Sequence, residues 1–155
     1  MRLIVLCGLP GSGKSTWAAA QGKPVVSSDE IRRLLTGDAT DQSVNRLVFH
    51  TMRRLLEAML AAGAGEVIVD STALTRHERR SWLRWAELHG CAAEVVYFDV
   101  PRPVCEARNA ARDRVVPAAA MERLFNRLEP PRREEGFDRL TTAAAPSTTA
   151  EPEQD

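Results

Sequence analysis

The stretch Arg2-Leu-Ile-Val-Leu-Cys7-Gly8-Leu-Pro10-Gly11-Ser12-Gly13-Lys14-Ser15-Thr16 decides how this chain folds. Residues 3–7 form a short apolar run closed by glycine, which reads as a strand buried on both faces of a parallel sheet. Residues 8–15 fit G-x-x-x-x-G-K-[ST] in full, and residue frequencies put a chance match somewhere in 155 residues on the order of 1%. Each position has a physical reason. Glycines let successive backbone N–H groups turn inward toward a phosphate at the positive end of the next helix. Gly8, Pro10, Gly11, Ser12, Gly13, Lys14, Ser15 and Thr16 are therefore the expected ATP-binding set. Lys14 would bridge the β- and γ-phosphates and Ser15 would give its hydroxyl to Mg²⁺. A plain turn with a helix cap needs neither the lysine nor so many glycines.

Outward from this loop, the pattern repeats. Residues 24–27, 66–70 and 94–100 are further short, β-branched runs that read as strands. Helical periodicity lies between them, near residues 14–21, 30–35, 41–62, 75–89, 103–111 and 118–128. Strand-helix alternation of this kind predicts an α/β fold, a doubly wound and mainly parallel sheet of four to five strands, with ligands at the carboxyl ends of the strands. Residues 1–140 read as one domain, and residues 141–155, rich in Ala, Pro, Thr and Glu, as a disordered tail.

Composition narrows the class. A chain with 44% hydrophobic and 27% charged residues is globular, and 21 cations against 21 acids exclude a polycation that coats nucleic acid. Outside the tail, which holds Glu151, Glu153 and Asp155, the balance is 21 cations to 18 acids, mildly basic. Only Lys14 and Lys23 are lysines. The other 19 cations are arginines, as a compositional bias of the source genome would give. No apolar stretch is long enough to span a membrane, and residues 2–7 are too short for a signal-peptide core, so a cytoplasmic protein is expected. Cys7, Cys91 and Cys105 have no metal-ligand spacing and read as reduced, packed residues. His50, His77 and His89 are isolated, with packing or surface roles.

Three segments could supply the rest of a site. In Ser27-Ser28-Asp29-Glu-Ile-Arg32, Asp29 falls at the sheet's carboxyl edge with Arg32 three residues on. A carboxylate that accepts a hydroxyl proton beside a guanidinium that grips a substrate phosphate suits phosphoryl transfer, while an N-cap and a solvated arginine is the plain alternative. Asp70 closes an apolar strand where a carboxylate helps hold Mg²⁺ through water. Arg108, Arg112 and Arg114 crowd a helix end and would form a lid that neutralises the γ-phosphate, or else are ordinary surface arginines. Between residues 75 and 89, Arg76, Arg79, Arg80 and Arg84 line one side and Trp82 and Trp85 another. That strip would guide a strand's phosphates and stack a base, with Arg76 touching substrate, or is a solvated face over packed tryptophans.

No guanine-reading NKxD segment is present, and 155 residues leave little room for the coupling elements of an AAA+ or RecA-type motor, so a small kinase is expected. The phosphate loop, Ser28-Asp29-x-x-Arg32, Asp41-Gln42-Ser43, Val69-Asp70-Ser71-Thr72, Val104-Cys105-Glu106-Ala107-Arg108-Asn109 and Glu135-Gly136-Phe137 succeed each other in a telling order. The chain thereby resembles, over residues 1–140, the kinase domains of phage and bacterial polynucleotide 5′-hydroxyl kinases. That family often carries Asn where this chain has Ala73. The resemblance implies ATP-dependent phosphorylation of a 5′-OH end of RNA or DNA. Asp29 matches its general base, Arg32 its clamp on the substrate's phosphate, and Arg108, Arg112 and Arg114 its lid. Related kinases act on small alcohols, sugars or antibiotics, so two alternatives stand beside this: a kinase of a small molecule, and a nucleotide-binding module without turnover.

Overall fold

The computed structural model describes residues 1–113 and 115–143. β1 (Arg2–Cys7) leads through the phosphate loop into α1 (Lys14–Ala20), and β2 (Val25–Ser27) runs straight into α2 (Ser28–Thr36). A 3-10 turn at Gln42–Val44 opens α3 (Asn45–Ala61), followed by β3 (Glu66–Asp70), α4 (Arg76–Leu88) and β4 (Ala92–Phe98). α5 (Arg102–Ala110), α6 (Ala118–Arg127), a 3-10 turn at Arg133–Glu135 and β5 (Arg139–Ala143) complete the described chain. All the strands join one parallel sheet in the order β2-β3-β1-β4-β5.

Alternation along β1 builds both halves of the core. Leu3, Val5 and Cys7 face one side, where α2, α3 and α4 cover them with Ile31, Met52 and Trp82. Ile4 and Leu6 face the other, beneath α1, α5 and α6 with Ala18, Cys105 and Met121. From β1 the chain steps past β3 to reach β2, and after β3 it crosses back over β1 to β4. Winding therefore reverses beside β1, and the crevice at the carboxyl ends of β1 and β3 is where such sheets take ligands.

The α/β architecture expected from the sequence is the one observed, with two differences of substance. The chain does not leave the domain at residue 140: β5 pairs with β4 through Ala143. Its sequence, Arg-Leu-Thr-Thr-Ala, lacks the apolar run of the inner strands because an edge strand is held by backbone bonds to one neighbour. Residues 144–155 of the expected tail lie outside the described residues. The second difference concerns α4, which begins with a capping box between Thr75 and Glu78. Its arginines do not form one solvated strip. Arg79 is 0% exposed, and Trp82 and Trp85 are buried, so neither tryptophan can stack a base.

Arg79 instead ties three segments together. Its Nε and Nη2 donate to Glu135 Oε2 and Oε1 at 2.7 and 2.6 Å, a bidentate pair. Its Nη1 donates to the carbonyls of Ala73 and Leu74 at 3.1 and 2.9 Å. Ala73 has φ 41°, a left-handed conformation that costs a non-glycine residue about 1 kcal/mol, so the guanidinium fastens a strained turn directly after β3. Cys7 lies against the same guanidinium at 3.6 Å; burial pushes its thiol up to about 11, so it stays protonated. All three cysteines are free thiols.

Removing one partner of a buried pair leaves an uncompensated charge. Arg79→Ala is expected to cost about 3–5 kcal/mol and to lower Tm by roughly 10 °C. Arg54→Ala, which breaks the exposed pair with Glu57, should leave Tm within about a degree. Thermal denaturation of both variants checks this.

Candidate active site

At the carboxyl ends of β1, β2 and β3 a cavity of about 250 Å³ opens beneath α5. Its floor is the phosphate loop: Pro10, Gly11, Gly13, Lys14, Ser15 and Thr16 all line it. Gly11 and Gly13 have φ +82° and +92°, which a side chain would strain. Gly11 is constrained further. A Cβ there would overlap the carbonyl oxygen of Cys105 and stand 3.2 Å from its carbonyl carbon, so the loop is pressed against α5. Gly8 and Ser12, expected in the same set, are buried and do not line this cavity.

Lys14 is buried, and its Nζ donates to the carbonyls of Gly8 and Leu9 at 2.8 and 2.9 Å. Burial lowers its pKa, while the charge of Asp70 raises it. Ser15 Oγ donates to Asp70 Oδ2 at 2.7 Å. Burial raises the Asp70 carboxyl; the Ser15 hydrogen bond and the nearby Lys14 charge oppose it. A hydroxyl and a carboxylate side by side at a phosphate loop are the hard oxygen donors that Mg²⁺ takes, so this pair fits the ion.

Asp29 enters the cavity from the first turn of α2. The cap of that helix is Ser27, whose Oγ accepts from Glu30 N. Asp29 is held from behind by Arg32, whose Nη1 donates to Asp29 Oδ1 at 2.9 Å. The same guanidinium donates to Ala39 O at 3.3 Å and through Nη2 to Asn45 Oδ1 at 2.6 Å. Arg32 is thus a buried brace, 4% exposed, and not a solvated side chain.

Arg108 and Arg112 complete the wall opposite the loop. Asn109, buried between them, sets their position: its Nδ2 donates to Val116 O at 2.8 Å and its Oδ1 accepts from Val116 N at 3.0 Å, pinching the connection to α6. Arg114 lies outside the described residues. Arg76 is not in this cavity; it borders a separate cleft on α4 with Arg80, Arg84 and Glu135. Sequence reading missed Asn45, and named Asn109 and Arg79 without their buried roles, because a buried polar side chain acts through partners far along the chain. Among the described residues there is no group of His, Cys, Asp and Glu that could hold a metal by itself, and no helix long and apolar enough to cross a membrane.

A family model described as an AAA domain matches residues 3–131. The chain belongs to this AAA-domain family. Relatives and solved structures that it resembles include kinases. It is 35% identical over 115 residues to chloroplastic adenylyl-sulfate kinase 1 of Arabidopsis thaliana, covering 69% of this chain and 41% of that protein. The chain therefore spans about two fifths of the curated relative's length. A gluconokinase from Sinorhizobium meliloti superposes with a TM-score of 0.60 at 24% identity, covering 93% of this chain and 82% of the other. A chain of the Pnkp1/Rnl/Hen1 RNA repair complex gives 0.67 at 20% identity, covering 82% and 43%. At these identities the likeness to the solved structures is one of fold.

Gly11→Ala should abolish nucleotide binding by forcing the loop off α5, and calorimetric titration with an ATP analogue would read the loss directly. A carboxyl whose folded pKa is raised weakens the fold as pH climbs from its ordinary value of 3.8 to the folded one. Asp70→Asn should accordingly be at least as stable as the parent at pH 7, with the difference vanishing below about pH 4, while Mg²⁺-dependent nucleotide binding is lost. Melting curves across pH, with and without Mg²⁺ and nucleotide, test both parts.

Proposed function

We propose that this chain is an ATP-dependent phosphotransferase, a kinase that moves the γ-phosphate to an alcohol. One observation carries the reading: a single cavity gathers, from four separate stretches of sequence, the parts that in-line transfer requires. The acceptor oxygen attacks the γ-phosphorus; the new O–P bond forms as the bond to the β,γ-bridging oxygen breaks, and ADP departs with that electron pair. The acceptor's proton passes to the Asp29 carboxylate, which Arg32 holds in place. Lys14 leaves its own loop's carbonyls for the β- and γ-phosphates, a move toward stronger, charged acceptors. Arg108 and Arg112 face the charge that spreads over the γ-phosphoryl oxygens. Ser15 and Asp70 would hold Mg²⁺, which when bound neutralises charge on those oxygens.

The motif order suggests a polynucleotide 5′-OH as the acceptor, and the RNA repair complex with a chain of this fold is in keeping with it. Two groups assigned to gripping a strand are differently engaged, however. Arg32 is buried against Asn45, and the tryptophans of α4 are in the core. Free cysteines and a need for ATP are both in keeping with a cytoplasmic setting.

Asp29→Asn is expected to keep ATP affinity within about twofold and to lower kcat by 10²-fold or more. Lys14→Ala should lower kcat/KM for ATP by a similar factor or more whatever the acceptor. Steady-state kinetics with labelled ATP decide both, and an unaltered kcat for the Asp29 variant would remove it as the base.

A further inference from the structure

α4 carries three arginine side chains that neither the core nor the nucleotide cavity uses. Arg76, Arg80 and Arg84 stand at steps of four along the helix, so they share one face at intervals of about 6 Å along its axis. They border a cleft of about 370 Å³ whose other lining residues are Leu83, Glu87 and Glu135. We infer that this cleft is a docking surface for the phosphate backbone of a nucleic-acid strand, held by charge and without reading of its bases; the inference is independent of the kinase reading.

The pairing of charges carries the argument. All three guanidiniums are exposed, and among the described residues none has a hydrogen-bond or ion-pair partner. Exposed arginines on other elements differ: Arg33, Arg54 and Arg127 are paired with Glu30, Glu57 and Glu78. Of the two carboxylates in the cleft, Glu135 is neutralised by Arg79, which takes both its oxygens. Glu87 is left to oppose three guanidiniums. The segment leading to Glu135 adds Arg132 and Arg133 against Glu129 and Glu134, which leaves that balance unchanged. All of these residues lie within the described chain, so the surface is basic on the groups it presents.

A row of this kind fits a chain of repeated anions. A planar guanidinium takes two oxygens of one phosphate, and successive phosphates of a strand can meet successive turns of the helix. A folded acidic protein would ask for apolar anchors as well, and the cleft offers only Leu83, 5% exposed. Leu88, next on the same face, ends the row and does not line the cleft. Trp82 and Trp85 are buried, so no base stacks on them and phosphate contacts supply the affinity, the sequence-independent and salt-sensitive mode. α4 follows closely on Thr72, which lines the nucleotide cavity, and leads back to the start of β4. The row therefore begins beside the crevice and runs down the side of the domain.

The test titrates a 3′-labelled, 5′-phosphorylated single-stranded oligonucleotide, which has no 5′-hydroxyl, with the full chain and follows fluorescence anisotropy. Binding at low salt is expected, with similar affinity for strands of unlike base composition and at least about tenfold weaker binding of polyglutamate. Combining Arg76→Gln, Arg80→Gln and Arg84→Gln should weaken strand binding at least about tenfold and make the slope of log K against log salt shallower by about 2. Its Tm should stay within about 2 °C of the parent, since the side chains replaced are exposed and unpaired. A control variant loses the same charge elsewhere, through Arg46→Gln, Arg54→Gln and Arg139→Gln, and should bind within about threefold of the parent. Absence of binding at low salt, equal binding of polyglutamate, marked dependence on base sequence, or an equal effect of the two triple substitutions overturns the inference. ATP binding, read by calorimetry on the same variants, bears on the kinase reading alone.

Discussion

The phosphate loop is pressed so closely on α5 that residue 11 has no room for a Cβ beside the carbonyl of Cys105. Much of the site depends on that contact. It requires β1 and β4 to be neighbours, because α5 begins just beyond the end of β4 and must lie over the loop that leaves β1. It brings the last turn of α5 above the loop, which puts Arg108 and Arg112 on the roof of the nucleotide cavity. On the other side of β1, β3 supplies Asp70 to Ser15, and α2, which starts directly after β2, brings in Asp29. The phosphate loop, Asp70 and Asp29 thus meet because a single strand order places three carboxyl ends and one helix around one crevice.

Arginines serve two separate purposes here. Arg108 and Arg112 line the cavity at the phosphate loop. Arg32 and Arg79 are buried, and each holds a loop with its guanidinium: through Nη1 and Nη2 Arg32 joins Asp29 to Ala39 and Asn45, and Arg79 joins Glu135 to the strained turn at Ala73. A lysine could not do this, having a point charge in place of a fork of directed donors. The consequence for function is indirect. Asp29 and Asp70 sit at the ends of segments that these guanidiniums immobilise, so the reacting geometry is stiffened by side chains that touch no ligand.

Burial shifts Lys14 and Asp70 each toward its neutral form. The same exclusion of water lowers Lys14 and raises Asp70, and each moderates the other by its charge. Lys14 rests on two carbonyls of its own loop. These groups are costly to the fold and strong toward a charged ligand, which is how binding energy becomes available at such sites.

The sequence by itself determined the class of fold and the phosphate site. Strand-loop-helix spacing is local, and the glycines, Lys14 and Ser15 carry their chemistry within nine consecutive residues. The inner strands were equally legible, since burial on both faces demands an unbroken apolar run. β5 was not, because an edge strand asks only for backbone partners. Tertiary structure alone decided what each arginine does. Arg32, Arg76, Arg79 and Arg112 look alike in a one-dimensional pattern, yet one braces Asp29, one borders a remote cleft, one is locked in the core and one lines the cavity at the phosphate loop. A guanidinium's role is set by which acceptors surround it, and those arrive from residues such as Asn45 and Glu135, up to 56 positions away.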